Sequence, residues 1–466
     1  MLDLIIKNGT LVTPDAIFDA DIEVKDEKIV SITVPGTVKE AARIIDAKGK
    51  YVMPGLIDPH MHINAPLGGY VDILNHYQAS KIAAYGGVTT FIDFSNTTKG
   101  DNVLDAIKSR REEMEHSCID FGIHAKFVEA NDELLHSIKD IIDYGCPSFK
   151  MFMTYRKSGV MIDDTDLLKV MEEANEWGGL CGFHAESNPI AEYNEERFER
   201  QGKLDWKYFP ESKPVVCEAE AVSKVIHFAE YLNASIFLFH QTSAAAVDLI
   251  RKAKERGVKV IGETCTHYLT LTKEKNDGPD GFLYLMSPPL REKKDQEALW
   301  NGLKDGTLSL VSSDNCTFTR ELKEAGLKRD ANGNVIPDFR KPINGVSGLE
   351  ERFGLMMGEG VNKGRISLNK FVELCSTNPA KVFGMYPQKG CLNVGSDADI
   401  ILVDPEKTVQ LSKDNLHYGL DYSIFDGFES KGWPVTTIRR GEVIVEDGKF
   451  YGKEGTGRFL KRVLRR

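Results

Sequence analysis

Between residues 54 and 384 the chain alternates short apolar runs, rich in β-branched and aromatic residues, with longer segments of helical period. The runs are Pro54–His60, Val88–Ile92, Ile119–Phe127, Ser148–Phe152, Cys181–His184, Ser235–His240, Val258–Ile261 and Leu308–Ser312. Segments such as Ile73–Tyr85, Leu167–Trp177 and Ala244–Arg256 separate them, with apolar residues at three- and four-residue spacing. An apolar run without polar alternation marks a strand buried on both faces, and such strands belong to parallel sheets covered by helices. Eight such units in about 330 residues is the count and length of an α/β fold of the (β/α)8 TIM-like barrel type, with insertions.

The two ends have another texture. Leu2–Ile6 is apolar, Asn8-Gly9 is a hairpin signal, and Ile22, Val24, Ile29, Val30 and Ile32 supply further short strands. Near the C-terminus Ala398–Val403 reads as a buried strand, Val435–Ile438 and Glu442–Val445 flank Arg440-Gly441, and Asp447-Gly448 offers another turn. Two β-rich ends around one long middle predict a small β-sandwich domain built from residues 1–53 and 385–466, with a barrel domain, 54–384, inserted between them.

Composition narrows the partners. Hydrophobic residues make up 41% of the chain, with 41 glycines besides, which excludes global disorder. A net charge of −11 repels phosphate backbones and anionic lipid, so neither nucleic acid nor a membrane surface is an expected partner. The start, MLDLIIKNG, places Asp3 and Lys7 around a stretch too short for a signal peptide, and no apolar run is long enough to span a bilayer. Eight scattered cysteines without a Cys-x-x-Cys pair suit reduced thiols, and the location expected is cytoplasmic.

Function is carried by where polar residues meet the eight runs. His60 and His62 end the first, Lys150 interrupts the fourth, His184 ends the fifth, His240 the sixth, and Asp314 follows the eighth. In a barrel these strand ends share one mouth, where sites of this fold occur. Singly, each has a bland reading: a polar turn for His-x-His, a satisfied core position for His184 or His240, a lysine snorkelling to the rim for Lys150. Jointly they present four imidazoles, a carboxylate and a lysine to one space, and N/O ligands of that kind suit Zn²⁺ or a similar divalent ion. His124 and His267 qualify only for supporting positions; His76, His116, His136, His227 and His417 fall in helical or C-terminal segments.

Several stretches carry a family resemblance: Gly55-Leu56-Ile57-Asp58-Pro59-His60-Met61-His62, Phe149-Lys150-Met151-Phe152-Met153-Thr154-Tyr155, His184-Ala185-Glu186, Gly262-Glu263-Thr264-Cys265, Ser287-Pro288-Pro289-Leu290-Arg291 and Ser313-Asp314-Asn315-Cys316. Together they resemble the dihydropyrimidinases and D-hydantoinases, cyclic amidases of the amidohydrolase superfamily, nearly end to end. The resemblance implies a binuclear zinc site, with His60, His62 and Asp314 on one ion, His184 and His240 on the other, and Lys150, carbamylated by CO₂, bridging both. It further implies that a hydroxide shared by the ions opens a 5,6-dihydropyrimidine or 5-substituted hydantoin to an N-carbamoyl amino acid. Asp314 then moves the proton, Tyr155 donates to the oxyanion, and the backbones of Ser287 and Asn344 hold the –NH–CO– edge of this small-molecule substrate.

Departures from the family pattern cluster at the expected mouth. Asn64-Ala65-Pro66-Leu67 follows His62 and leans towards allantoinases; Arg156-Lys157-Ser158-Gly159-Val160 follows Tyr155 without an aromatic lid residue; Asn315 and Met286 also differ. Smaller, more charged loops should alter which ring substituent is accepted. The alternatives are an allantoinase-like or other cyclic ureide hydrolase, and a non-enzymatic scaffold, which the presence of all six ligand candidates disfavours. The resemblance implies a homotetramer (or homodimer), and a tail carrying Arg458, Lys461, Arg462, Arg465 and Arg466 would either embrace an acidic neighbour or lie solvated.

Overall fold

The computed structural model describes residues 1–36, 39–67 and 69–464. The eight runs form the strands Leu56–Asp58, Val88–Phe94, Asp120–Lys126, Ser148–Phe152, Leu180–His184, Ile236–Leu238, Val260–Cys265 and Leu310–Ser312. Each pairs in parallel with the next, in chain order. All seven residues of Val88–Phe94 are buried, which is why the run shows no alternation.

The ring closes differently from the rest of its circumference. Among the described residues one parallel bridge, Met61 to Asn315, joins the segments just past the first and eighth strands. The Ser313 N–H adds a bond to Asp58 Oδ1 at 3.2 Å. Both contacts lie beside the histidines and the aspartate singled out above.

Helices wrap the barrel where the period placed them, with starts set by caps. The first runs His76–Tyr85 rather than from Ile73, because Asn75 accepts from the Gln78 N–H while the Gln78 side chain returns to the Asn75 backbone. Asp163 caps Asp164–Trp177 and Ser243 caps Ala244–Glu255 in the same way. Among the described residues no helix is long and apolar enough to cross a membrane.

Strands from both termini form one nine-stranded sheet. Its inward side chains, among them Leu4, Ile22, Val52, Ile400, Leu402 and Ile438, make a single cluster, so the sheet folds over a core of its own. Ile401 and Val403, on the opposite face, join the barrel's core. Arg440-Gly441 and Asp447-Gly448 are tight turns with positive φ at both residues, as their composition predicts.

Asn8-Gly9 is not a turn. The strand Leu2–Val12 passes through it with a register shift against Ile17–Lys25, and Asn8, at φ 58°, is a bulge whose N–H donates to Asp21 Oδ1 at 2.7 Å. A Cβ on Gly9 would meet Val52 Cγ2 at 2.3 Å, which accounts for the glycine.

Within the basic tail one residue departs from the expectation. Arg462 is not solvated: it is 1% exposed beneath its own barrel. Its Nη1 donates to Ser148 Oγ at 2.8 Å and its Nη2 to the Ile123 carbonyl. Ser148 Oγ meets His124 Nδ1 at 2.7 Å, and His124 Nε2 meets the Pro59 carbonyl at 2.9 Å, next to His60. Arg458 pairs with Glu27 at 2.6 Å. Arg465 and Arg466 lie outside the described residues.

Candidate active site

His60, His62, His184, His240 and Asp314 lie on or just past the C-terminal ends of their strands, and Lys150 stands in the middle of Ser148–Phe152. His240 and Asp314 leave their strands with φ of 43° and 48°, and Tyr155 follows at 69°. Left-handed backbone costs a residue with a Cβ about 1–2 kcal/mol, and such residues collect where a side chain must point against the chain's preference. The other non-glycine residues with positive φ include the turn residues Asp26, Glu27 and Arg440 and the helix cap Asn233.

The six candidates come together in two groups. His60 Nε2 lies 2.9 Å and His62 Nε2 3.4 Å from Asp314 Oδ1. The rings of His184 and His240 are 4.4 Å apart, and 5.5 Å separates those of His60 and His240. Lys150 is 1% exposed. Its Nζ sits 3.6 Å from the Phe239 ring centroid and 5.0 and 5.1 Å from those of Phe94 and Phe152.

The donor set fits divalent cations. Burial pushes His62, His184 and His240 towards the neutral imidazole, whose lone pair is what a metal takes. His240 Nδ1 is buried without a hydrogen-bond partner. At His60 burial also opposes charge, but Asp314 and Glu263 outweigh it and raise the pKa to about 9, so the local field favours a cation. Burial lowers Lys150 to about 8, against the pull of Asp314 and Glu263, so that roughly a tenth of it is free amine at pH 7, far more than an ordinary lysine provides.

Several supporting residues have weaker sequence signals. Glu263, fully buried, accepts from His60 Nδ1 at 3.0 Å; its signal was its place in the Gly262-Glu263-Thr264-Cys265 stretch. Glu186 Oε2 meets His184 Nε2 at 2.7 Å. Carboxylates of this kind fix the orientation of a ligating imidazole. His60, Cys265 and Asp314 offer ligand atoms within 4.8 Å of one another. Burial holds the Cys265 thiol well above its ordinary pKa, so it packs there as a thiol. His124 uses both ring nitrogens in hydrogen bonds, while His267 is buried with neither nitrogen partnered.

Beside these groups lies a cavity of about 260 Å³ whose lining includes Tyr155, Arg156, Lys157, Lys213, Arg340 and Asn344. Tyr155 is in ring contact with His184 at 5.3 Å. Ser287 Oγ accepts from Asn344 Nδ2 at 3.2 Å and from Lys213 Nζ at 2.8 Å. The three substrate-side candidates, Tyr155, Ser287 and Asn344, therefore meet at one wall. Lys213 carried no sequence signal, since a lysine after a short helix is by default a surface residue.

Known proteins resemble the chain over nearly its whole length. A D-hydantoinase of Ralstonia pickettii is 42% identical over 99% of both chains. A D-phenylhydantoinase of Escherichia coli is 34% identical over 98% of both. The crystal structure of a dihydropyrimidinase from Brevibacillus agri superposes with a TM-score of 0.95 at 38% identity, covering all of both chains. The amidohydrolase family matches residues 51–444. With the barrel, its mouth of histidines and these relatives in agreement, the chain belongs to the amidohydrolase family, within its hydantoinase and dihydropyrimidinase branch.

Proposed function

We propose that the chain hydrolyses a cyclic amide, a 5,6-dihydropyrimidine or a 5-substituted hydantoin, to an N-carbamoyl amino acid. His60, His62 and Asp314 would hold one divalent ion and His184 and His240 a second, with Lys150, carbamylated by CO₂, spanning both; the histidine-rich donor set favours zinc. The observation that carries this reading is the convergence at one barrel mouth of His60, of His62, His184 and His240 held towards the neutral imidazole by burial, of Asp314, and of a Lys150 whose pKa burial lowers to about 8. A free amine is required because carbamylation forms an N–C bond to CO₂ and releases a proton, and the resulting carbamate has two anionic oxygens where an ammonium has none.

Such ions, when bound, supply a water acidic enough to react at neutral pH and polarise the carbonyl under attack. The chain's own residues do the rest. Asp314 takes the proton of the attacking water and passes it to the ring nitrogen as the C–N bond breaks. The Tyr155 hydroxyl donates to the carbonyl oxygen as it gains charge, a contact worth about 3–4 kcal/mol in acyl transfer. Ser287 and Asn344 hold the –NH–CO– edge. Residues 1–53 with 385–466 serve as the supporting unit and 54–384 as the catalytic one. Eight cysteines buried as free thiols support a reducing, cytoplasmic location, and a homotetramer or homodimer belongs to the same proposal.

The test is turnover of dihydrouracil, hydantoin, 5-phenylhydantoin and allantoin at one metal loading, with metal counted per chain. Opening of a dihydropyrimidine or hydantoin at about two ions per chain is expected. Opening of allantoin alone, or of no ring by fully loaded protein, would overturn the reading.

A further inference from the structure

A line of hydrogen bonds runs from the C-terminal tail through the barrel floor to the peptide that carries His60. Arg462 Nη1 donates to Ser148 Oγ at 2.8 Å, Ser148 Oγ meets His124 Nδ1 at 2.7 Å, and His124 Nε2 meets the Pro59 carbonyl at 2.9 Å. None of the three side chains is more than 1% exposed. A guanidinium only donates and a carbonyl only accepts, so both ends of the line are fixed. Burial, with the Arg462 charge nearby, pushes the His124 pKa well below the imidazole range and leaves one proton on the ring. That proton is on Nε2, because the Pro59 carbonyl has none to give, and Nδ1 accepts from the Ser148 hydroxyl. The strand beside the guanidinium is shaped for it: a Cβ on Gly122 would lie 2.9 Å from Arg462 Nε, and Arg462 Nη2 donates to the Ile123 carbonyl.

We propose that His124, held in its Nε2–H tautomer by Ser148 and Arg462, is a positioning residue for His60 and thereby sets the affinity of the metal site. The inference rests on the proposed metal centre. The Pro59 carbonyl and the His60 N–H belong to one peptide plane. His124 holds the carbonyl, while the N–H donates to Asp58 Oδ1 at 3.4 Å, so the plane is pinned from both edges. Glu263 holds the His60 ring separately, at 3.0 Å. With its backbone pinned and its ring oriented, His60 is set in place before an ion arrives, and binding costs little reorganisation. The opposite tautomer would turn a bare Nε2 lone pair to the carbonyl oxygen and release the plane.

His124→Gln keeps an amide nitrogen as donor to Pro59, and His124→Leu keeps none. Zinc affinity of the full chain, read by competition with a chelator, should weaken about 10- to 100-fold in His124→Leu and about tenfold in Ser148→Ala, and should stay within about threefold of the parent in His124→Gln. A His124→Leu protein with the parent's affinity, or a His124→Gln protein as weak as His124→Leu, would overturn the proposal. A second arm reads the parent protein itself. In ¹⁵N-histidine spectra the His124 ring, identified by its loss in His124→Gln or its shift in Ser148→Ala, should be neutral with its proton on Nε2, with and without zinc. A proton on Nδ1, or on both nitrogens, would also overturn it. A parent that takes up no zinc would overturn the metal reading and this proposal together, whereas zinc binding indifferent to His124→Leu overturns this proposal alone.

Discussion

The backbone N–H of His62 donates to the Asn315 carbonyl at 2.7 Å, joining the loop after the first barrel strand to the loop after the eighth. His60 and His62 therefore stand on one side of the barrel's seam and Asp314 on the other. An ion held by these three would bind across the closure of the ring, so occupancy and barrel stability are linked.

Lys150→Ala should abolish the spanning ligand. Turnover is expected to fall by about 100-fold or more, roughly 3 kcal/mol, and metal content to fall well below that of the parent. Apo protein reloaded in CO₂-depleted buffer should take up less metal than protein reloaded with bicarbonate. A full-rate Lys150→Ala protein would contradict the assignment.

Glu263→Gln leaves His60 in place and removes the charge that orients it. Metal affinity, read by competition with a chelator, should weaken about 10- to 100-fold. Unchanged affinity would reduce Glu263 to a packing role.

Arg156 and Lys157 approach Glu192 and Glu195 at only 3.9 and 3.8 Å at the cavity wall. Replacing both cations with alanine should raise KM for a hydantoin with an anionic 5-substituent about two- to fivefold, the scale of exposed charge pairs. Unsubstituted hydantoin serves as the control and should be unaffected.

Arg462→Ala removes charged hydrogen bonds to Ser148 and to the Ile123 carbonyl. A loss of about 2–4 kcal/mol is expected, read from the urea midpoint. Deletion from Gly457 onward should lower that midpoint further; a smaller particle by light scattering at an unchanged midpoint would instead assign the tail to an interface.

What the sequence disclosed followed from burial. Strands covered on both faces are uniformly apolar, so His60, Lys150 and His184 stood out against them, and the eight runs located the eight strands to within a few residues. The Ile73–Tyr85 segment began too early because its period is set by packing, whereas its start is set by the Asn75 cap. Asn8-Gly9 misled because a bulge and a turn require the same positive φ, and only the partner strand Ile17–Lys25 distinguishes them. Lys213 and Arg462 were illegible for a common reason. Their partners, Ser287 and Ser148, are distant along the chain, 74 and 314 residues away, and no local pattern records such a pairing.

The path from Arg462 through Ser148 and His124 to the Pro59 carbonyl also orders events in time. At 5–20 residues per second, a ribosome adds Arg462 roughly 15–60 s after Ser148. Until it arrives, Ser148 and His124 lack the guanidinium that joins them in the finished barrel. Completion of the floor beneath the mouth is thereby deferred until Arg462 has been added.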